Sequence, residues 1–267
     1  MPLAVPRLVV SGFGGESGKT LVSLALLLAI RRDGLAVRAY KKGPDYIDAA
    51  WLAWASQSAA RNLDTYLMGG EGVCASFAAT ALPDALNLVE GNRGLYDGVD
   101  ARGTHSTAEL AKLLHAPVIL VVNATKVTRT AAALVLGCQR LDPEVRIAGV
   151  ILNHIATGRH ERVLRESIQS ICSIPVLGAI PRLPGAVLPG RHLGLVPPAE
   201  RPGAAELAAL LADTCARCVD LPALLAIARQ AEPVPAPAVP PRAAAPPAPK
   251  LRIGVVRDSA FTFYYPE

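Results

Sequence analysis

The residues of this sequence that most clearly could do chemistry lie between Ser11 and Thr20, in the run SGFGGESGKT. A glycine-rich turn between a strand and a helix lets successive backbone N–H groups point at phosphate oxygens, and the helix N-terminus adds partial positive charge. A lysine and a threonine at its end can reach the β/γ-phosphates and a Mg²⁺ ion. The run therefore predicts a nucleoside triphosphate site formed by Gly12, Gly14, Gly15, Glu16, Ser17, Gly18, Lys19 and Thr20.

This loop is one residue longer than the strict phosphate-loop pattern, because its first glycine, Gly12, stands one position earlier. A glycine-rich turn that binds nothing is the alternative interpretation. The intact Gly-Lys-Thr sequence, directly after a strand pattern and directly before a helix pattern, favours the nucleotide site.

A carboxylate at the end of another apolar run supports the same interpretation. The run Leu88-Val89-Glu90 ends in an acidic residue, which is where a parallel sheet would present a Mg²⁺ ligand opposite Thr20. A surface carboxylate at a strand end is the alternative. Beside a phosphate loop, we predict that Glu90 binds the metal.

Two polar clusters follow predicted strands. Solvated charged turns are the alternative interpretation for each, but ligands in α/β sheets bind where the carboxyl ends of the strands meet. We therefore predict that both clusters contribute to the site. The first contains Lys41, Lys42, Asp45, Tyr46 and Asp48, and the second contains Arg93 and Asp97.

Apolar runs alternating with helical patterns are expected to position these residues. Strands that are apolar throughout and separated by helices indicate a parallel sheet covered on both faces. The fold class is therefore α/β, a P-loop NTPase with a mostly parallel sheet and helices on both faces. The predicted strands are residues 7–11, 35–40, 85–90, 118–123, 147–153 and 176–180, and the predicted helices are residues 20–31, 106–114, 128–141, 160–170 and 204–231.

The composition changes sharply after residue 231. Residues 232–249 are a run of proline and alanine that cannot supply enough N–H donors for a sheet, so they predict an extended linker. Residues 250–256 (KLRIGVV) resemble the first strand of another domain. We therefore expect a domain at 1–231, a linker at 232–249 and the opening of a second domain at 250–267.

The overall composition excludes several classes of protein. The 267 residues are 51% hydrophobic, which excludes disorder throughout, and no apolar stretch reaches the roughly 18 residues that span a bilayer. The net charge is +5 and the basic residues are scattered along the sequence, so nucleic-acid binding is not implied. Five cysteines are a small and odd number, which does not suit a disulfide framework. Cys215 and Cys218 have zinc-type spacing, but no second Cys/His pair lies near them in the sequence. We expect a cytoplasmic protein.

Five motifs, taken in order, resemble those of the cobyrinic acid a,c-diamide synthase family over essentially the whole chain. The resemblance implies a fold like that of the related dethiobiotin synthetases. It also implies ATP- and Mg²⁺-dependent amidation of the a- and c-acetate carboxylates of a tetrapyrrole. The motifs are G-x5-GKT from Gly12, KGPDYID from Lys42, RNLD from Arg61, EG and GLYDG from Glu90, and RHLGL from Arg191.

In that family's chemistry a carboxylate attacks the γ-phosphate of ATP, and ammonia then displaces phosphate from the acyl phosphate. The resemblance implies roles at phosphate and Mg²⁺ for Lys19, Thr20, Asp45 and Glu90, and at the substrate carboxylate for Lys41 or Lys42. It implies substrate binding and the steering of ammonia for Tyr46, Asp48, Arg93 and Asp97, and recognition of the nucleotide base for Asn153.

The ammonia source is where this sequence departs from the family. Members make ammonia from glutamine with a Cys/His/Glu triad in a C-terminal domain, whose opening resembles RDSAFTFYYP from Arg257. None of the five cysteines lies in a glycine-flanked nucleophile turn. We therefore expect a part of a longer protein, without glutaminase activity of its own, that uses free ammonia or ammonia from a glutaminase domain or partner. A homodimer is left open.

The substrate and the reaction class each have an alternative. Asn92-Arg93 and the paired Lys41-Lys42 favour sirohydrochlorin or sirohaem over a corrin, because more cations suit a ring with more carboxylates. A dethiobiotin synthetase-type ligase would not explain the RHLGL motif. A non-catalytic nucleotide-binding protein of the partitioning type would carry a second lysine where this loop has Gly14.

Overall fold

A sheet of seven parallel strands forms the centre of the described chain. The structure, a computed structural model, describes residues 3–183, 188, 190–191, 194–234, 252–258, 261 and 263–265. The strands are β1 (Arg7–Gly12), β2 (Val37–Lys42), β3 (Arg61–Leu63), β4 (Leu86–Glu90), β5 (Val118–Asn123), β6 (Ile147–Ile155) and β7 (Val176–Pro181). Their order across the sheet is β3-β2-β4-β1-β5-β6-β7. The predicted α/β class is therefore confirmed.

Helices cover both faces of this sheet. They are α1 (Lys19–Arg32), α2 (Tyr46–Ser56), α3 (Thr65–Thr80), α4 (Thr107–Leu113), α5 (Thr130–Leu141), α6 (Gly158–Cys172), α7 (Ala204–Cys218) and α8 (Leu221–Arg229). Two short antiparallel strands, β8 (Gly190–Arg191) and β9 (Gly194–Leu195), form a separate pair. None of the described helices is both long enough and apolar enough to cross a membrane.

Alternating side chains of the strands form two hydrophobic cores. Leu8 and Val10 of β1 pack with α1, α2, α7 and α8, whereas Val9 packs with α3 to α6. Successive side chains of a strand point to opposite faces, so a central strand buried on both faces must be apolar throughout. All six residues of β1 are buried, which places the loop after it at the middle of the sheet.

Three of the predicted elements differ from the structure. The single helix at residues 204–231 is wrong: Val219 is extended and bridges to Gly178, and Asp220 caps α8, whose first turn contains a proline. Strand β2 runs from Val37 to Lys42 instead of over the predicted residues 35–40, because Lys41 and Lys42 pair with β3. No described residue within 252–257 lies in a strand, since these exposed residues have no strand beside them.

The sequence did not predict α2, α3 or β3, and the proposed linker is only partly described. Strand β3 has three residues and lies at the sheet edge, too short for periodicity to reveal. Residues 235–251 lie outside the described chain. The domain boundaries at 231 and 250 stay predictions. Cys215 and Cys218 are free thiols in α7.

A buried arginine fastens the N-terminal edge of the sheet. Arg7 is fully buried, and its guanidinium donates to Leu114 O (2.6 Å), Val5 O (3.0 Å), His115 O (3.2 Å) and Glu232 O. Burial lowers its pKa to about 10, which still leaves it charged at neutral pH. Arg7 therefore ties β1 to the end of α4 and to the segment after α8.

Replacing Arg7 with methionine should destabilise the chain by about 2–4 kcal/mol, because four carbonyls lose a charged donor in a buried place. Urea unfolding followed by circular dichroism measures the change. Arg102, which is exposed, provides the control: Arg102→Met should stay within about 0.5 kcal/mol of the parent. Equal midpoints for the two variants would contradict the role of Arg7.

Candidate active site

Two glycines allow the loop after β1 to approach its neighbours closely. Gly18 has φ +88°, and a Cβ there would lie 2.0 Å from Asn153 Nδ2. A Cβ on Gly12 would lie 2.6 Å from Ser17 Oγ. Any larger residue at either position would push the loop away from β6 or open its turn, so only glycine suits these positions.

Side-chain contacts close the phosphate loop on itself. Ser17 Oγ donates to Gly14 O (3.0 Å), and Lys19 Nζ donates to the same oxygen (2.7 Å). Asn153 Nδ2 donates to Ser17 O (3.2 Å), and Asn153 Oδ1 accepts from the N–H of His154 (3.0 Å). The loop is therefore preorganised at the N-terminus of α1, where a helix favours an anion.

Lys19 is nearly buried at this helix start. Burial lowers the pKa of Lys19, the neighbouring ammonium of Lys41 lowers it further, and the carboxylates of Glu90, Asp48 and Asp97 oppose this. A triphosphate bound over the loop would relieve the cost of this partly desolvated cation. The sequence prediction that Lys19 serves phosphate fits its surroundings.

A fully enclosed lysine links two carboxylates at the edge of β2. Lys41 Nζ donates to Asp48 Oδ2 (2.6 Å), Glu90 Oε1 (2.8 Å) and Gly91 O (3.2 Å). Burial by itself lowers the pKa of Lys41, but the two carboxylates outweigh it and raise the pKa above its ordinary value. Lys41 is therefore charged. An ammonium has three N–H donors, and all three of Lys41 are used, so none is left for a ligand.

Glu90 and Thr20 form the part of the site that fits a Mg²⁺ ion. Thr20 Oγ1 donates to Glu90 Oε1 (2.8 Å), so the two predicted metal ligands lie side by side. Glu90 is fully buried, and its Oε2 has no hydrogen-bond partner in the described chain. Burial raises the pKa of Glu90, while Lys41 and Thr20 oppose the shift. A hydroxyl beside an unsatisfied carboxylate oxygen is a donor set that a hard cation prefers.

The turn at residues 43–45 carries the other predicted metal ligand. Asp45 caps α2, its Oδ1 accepting from Asp48 N (2.8 Å). Burial raises the pKa of Asp45, and Asp48 raises it further. Asn62 of β3 donates from Nδ2 to Gly43 O (2.7 Å) and Asp45 O (3.0 Å). Asp45 as a Mg²⁺ ligand stays a prediction, but the side chain that fixes its backbone is identified.

The second predicted cluster lies against the phosphate loop. Leu95 N donates to Gly12 O (2.8 Å), and a Cβ on Gly94 would lie 2.7 Å from Phe13 O. Asp97 Oδ2 accepts from Gly94 N (2.8 Å), so this carboxylate braces its own loop. Arg93 precedes this contact with a positive φ of 49°. The loop after β4 is thus in place beside the nucleotide loop.

Lys42 lies on the opposite face of β2 from Lys41, because neighbouring side chains of a strand alternate. Burial lowers the pKa of Lys42, and the carboxylates of Asp64 and Glu109 counteract this. The adjacent lysines therefore have different surroundings. Of these two lysines, Lys42 is the one that is partly exposed and that forms no ion pair within the described chain.

A cavity of about 480 Å³ opens between the phosphate loop and the ends of β6 and β7. Its size falls within the range of small-molecule sites. Burial lowers the pKa of the His154 side chain at its wall, and Arg182 lowers it further. The lining residues are Gly15, Glu16, Gly18, Lys19, Thr20, Leu21, Asp48, Asn153, His154, Pro181, Leu183 and Leu188.

Comparison with known proteins now identifies the family. The family described as "CobQ/CobB/MinD/ParA nucleotide binding domain" matches residues 8–195, which is the sheet and all of the site above. The chain belongs to this family. Its members' description assigns nucleotide binding to the same region in which the phosphate loop, Glu90 and the cavity lie.

Curated proteins similar to this CobQ/CobB/MinD/ParA domain are a,c-diamide synthases. Cobyrinate a,c-diamide synthase of Magnetococcus marinus is 43% identical over 100% of this chain and 58% of its own length. Hydrogenobyrinate a,c-diamide synthase of Streptomyces coelicolor is 42% identical over 99% of this chain and 61% of its own length. These similarities confirm the predicted family resemblance. The chain spans about three-fifths of the length of these relatives.

A more distant relative and one solved structure complete the comparison. Cobyrinate a,c-diamide synthase of Archaeoglobus fulgidus is 36% identical over 99% of this chain and 58% of its own length. Chloroplast FtsY from Physcomitrella patens matches with a TM-score of 0.49 and 15% identity, covering 79% of this chain and 66% of that one.

The structure brings several of the predicted residues together, and it also shows supporting residues that sequence reasoning missed. The structure joins Lys41, Asp48, Glu90 and Thr20 in one hydrogen-bonded network. It places Lys19 on Gly14 O of the phosphate loop and Asn153 against Ser17 O of the same loop. The support from Asn62 was missed, although the RNLD motif contained the residue. His154 was missed because nothing in one sequence marks a wall residue of a cavity.

Lys41→Met should shift the acid limb of the pH profile of ATP turnover to higher pH. Without the ammonium of Lys41, the pKa of the buried Glu90 rises further. As the pH is lowered, Glu90 therefore takes up its proton, and stops acting as a ligand, at a higher pH than in the parent. Turnover at neutral pH should fall by roughly 10²-fold. The measurement is the rate of ADP formation against pH, with a thermal melt to establish that the variant folds.

Lys112→Met is the matched control for this variant, since Lys112 forms surface ion pairs with Asp142 and Glu144. It should leave the pH profile unchanged. An unshifted acid limb in folded Lys41→Met would show that Lys41 does not control Glu90.

Asn62→Ala should raise the Mg²⁺ concentration needed for half-maximal turnover by roughly tenfold, because the carbonyls of Gly43 and Asp45 each lose their amide donor. Asn87→Ala is the control. Asn87 is also a buried amide, and it donates to Pro6 O and Leu82 O at the opposite end of the sheet. Both variants should lose about 1–3 kcal/mol of stability. A Mg²⁺ dependence that changes equally in both variants would contradict a positioning role for Asn62.

Proposed function

We propose that this chain is the ATP-dependent synthetase part of a tetrapyrrole a,c-diamide synthase and acts in the cytoplasm. The observation that carries the proposal is the network in which Thr20 and Lys41 meet on the buried carboxylate of Glu90. It joins a nucleotide loop to a carboxylate-rich strand edge, where phosphoryl transfer needs both cations and a metal ligand. The similarity to named synthases over the full chain supports the reaction class.

The proposed reaction proceeds in two displacements. An oxygen of the substrate carboxylate attacks the γ-phosphorus of ATP, and ADP leaves, so that an acyl phosphate forms. Ammonia then attacks the carbonyl carbon, loses a proton, and displaces inorganic phosphate to leave a carboxamide. Activation is required because a carboxylate is a poor electrophile whose oxygen is a poor leaving group.

Residues of the phosphate loop and of the Lys41–Glu90 network have different roles in the first displacement. Lys19 at the start of α1 stabilises negative charge on the transferred phosphoryl group. Thr20 and Glu90 would hold Mg²⁺, with Asp45 as the proposed third ligand, and the ion would neutralise charge on the β- and γ-phosphates. Lys41, whose donors are all used, keeps Glu90 and Asp48 in position.

The second lysine and the two polar turns are the proposed contacts of the tetrapyrrole carboxylate. Lys42 is partly exposed at the end of β2, so we assign to it the pairing with the substrate carboxylate. Arg93 is proposed to bind the tetrapyrrole, and Asp48 and Asp97 to orient the incoming ammonia. The ring of Tyr46 contacts Phe263 and Tyr265, so it is not assigned to the substrate. Asn153 and His154 line the cavity, and Asn153 is proposed to recognise the nucleotide base.

A corrin is the proposed substrate. The curated relatives are named for cobyrinate and hydrogenobyrinate, and none of the names reported above supports the preference for sirohydrochlorin or sirohaem drawn from Asn92-Arg93. Those rings become competing substrates in the test. No contact described above bears on the oligomeric state, so a homodimer is not part of the proposal.

Ammonia is proposed to come from a glutaminase domain outside the described residues. All five cysteines lie in helices α3, α5, α6 and α7 and are free. Burial raises the pKa of each, to about 11 for Cys138 and about 12 for Cys215. Since the thiolate is the nucleophile, these cysteines are unsuited to attack glutamine.

The chain should convert ATP to ADP in the presence of Mg²⁺, ammonium and cobyrinic acid, and mass spectrometry should show carboxyl groups of the ring becoming amides. Sirohydrochlorin and sirohaem are tested in parallel, and glutamine replaces ammonium in a further arm. Lys19→Ala should abolish turnover, because it removes the cation at the transferred phosphoryl group. If ADP forms but none of the tested tetrapyrroles is amidated, the proposed function is contradicted.

A further inference from the structure

Three consecutive backbone carbonyls of the turn at residues 43–45 each accept a hydrogen bond from a distant side chain. Asn62 Nδ2 donates to Gly43 O and to Asp45 O. Tyr265 Oη donates to Pro44 O, from 221 residues further along the chain. The turn that precedes α2 is thus held from β3 on one side and from the end of the chain on the other.

Aromatic rings reinforce the contact with the chain end. The ring of Phe263 stacks on Tyr46 with centroids 4.5 Å apart and planes inclined at 27°. Tyr265 meets the same ring edge-on, at 5.9 Å and 84°. Offset stacking and edge-to-face contacts are the two arrangements that aromatic pairs favour, so Tyr46 offers a specific surface to both.

The chain end has local order of its own. We use the term aromatic tail for described residues 252–258, 261 and 263–265. Within it, Phe261 N donates to Asp258 Oδ1 (2.9 Å), and Tyr264 Oη donates to Val256 O. These bonds turn the tail so that Phe263 and Tyr265 reach the same surface.

The contact is partial, which suits a reversible interaction. Phe263 is 60% and Tyr265 46% exposed, so the tail covers Tyr46 without entering the core. Within the turn, Pro44 has no N–H to donate, and the Asp45 carboxylate accepts from Asp48 N at the start of α2. Movement of Pro44 would therefore shift Asp45 and Tyr46 on its far side.

We propose that the aromatic tail docks on Pro44 and Tyr46 and thereby holds the turn at residues 43–48 in its working position. The aromatic tail follows the Pro/Ala-rich residues 232–249 in the sequence. In this proposal, residues on the far side of that stretch therefore complete the synthetase site. Docking orders the backbone that carries Asp45 and Asp48. The consequence for amidation rests on the proposed function, whereas the docking itself does not.

Hydrogen–deuterium exchange of the full chain tests the docking without any substrate. Phe263→Ala removes the stacked ring and Tyr265→Phe removes only the hydroxyl that bonds to Pro44. In both variants, amides in peptides covering residues 43–52 should exchange about threefold to tenfold faster than in the parent. Peptides from α1 should be unchanged, which would show that the fold is intact.

Phe261→Ala is the matched control, because it makes the same chemical change two residues away on an exposed ring. It should leave exchange at residues 43–52 as in the parent. Unchanged exchange in Phe263→Ala and Tyr265→Phe would overturn the proposal, and so would an equal increase in Phe261→Ala.

Turnover with ammonium and cobyrinic acid tests the consequence for catalysis. Phe263→Ala should lower kcat about threefold to tenfold and leave the KM for ATP unchanged, because the phosphate loop does not touch the tail in the described chain. Faster exchange with unaltered kcat would overturn the catalytic part of the proposal. Faster exchange in a chain that amidates no tetrapyrrole would support docking and refute the proposed function.

Discussion

The buried ammonium of Lys41 is the interaction on which the rest of the site depends. Glu90 has no contact with solvent, and an unpaired carboxylate in such a place would take up a proton. Lys41 supplies the compensating charge to Glu90 and Asp48 together, and its third donor binds the backbone at Gly91. One cation therefore fixes the ends of β2 and β4 and the first turn of α2, and keeps Glu90 available to Thr20.

The all-parallel sheet places the ends of β1, β2 and β4 at the same edge, which brings these residues together. Strand β1 lies between β4 and β5, so the phosphate loop leaves the sheet at its centre with Glu90 on one side and β5 on the other. Ligands of such sheets bind outside the carboxyl ends of the strands. The cavity beside Asn153 and the polar turns after β2 and β4 follow from that topology, and the apolar layers on both faces only have to hold the strands parallel.

Local chemistry explains which parts of the fold were predictable. The phosphate loop and the apolar strands follow from residue types at short spacing. The three-residue β3 and the break at Val219 do not, because β3 exists through pairing with β2, and the break exists through the bridge to Gly178. Lys41 and Lys42 look equivalent as neighbours in a sequence. Strand alternation separates them, and only the structure shows which one meets the carboxylates.

The fold class, the nucleotide loop and the family resemblance were predictable from the sequence, because glycine spacing, apolar periodicity and motif order are properties of the chain read residue by residue. Tertiary structure decided how the polar residues share their charges and hydrogen bonds. Asn62 and Tyr265 are distant in sequence from residues 43–45, yet each donates to carbonyls of that turn. Such contacts depend on how the folded chain brings remote segments together, and the energy of a hydrogen bond or an ion pair is set by distance and burial, which no spacing encodes.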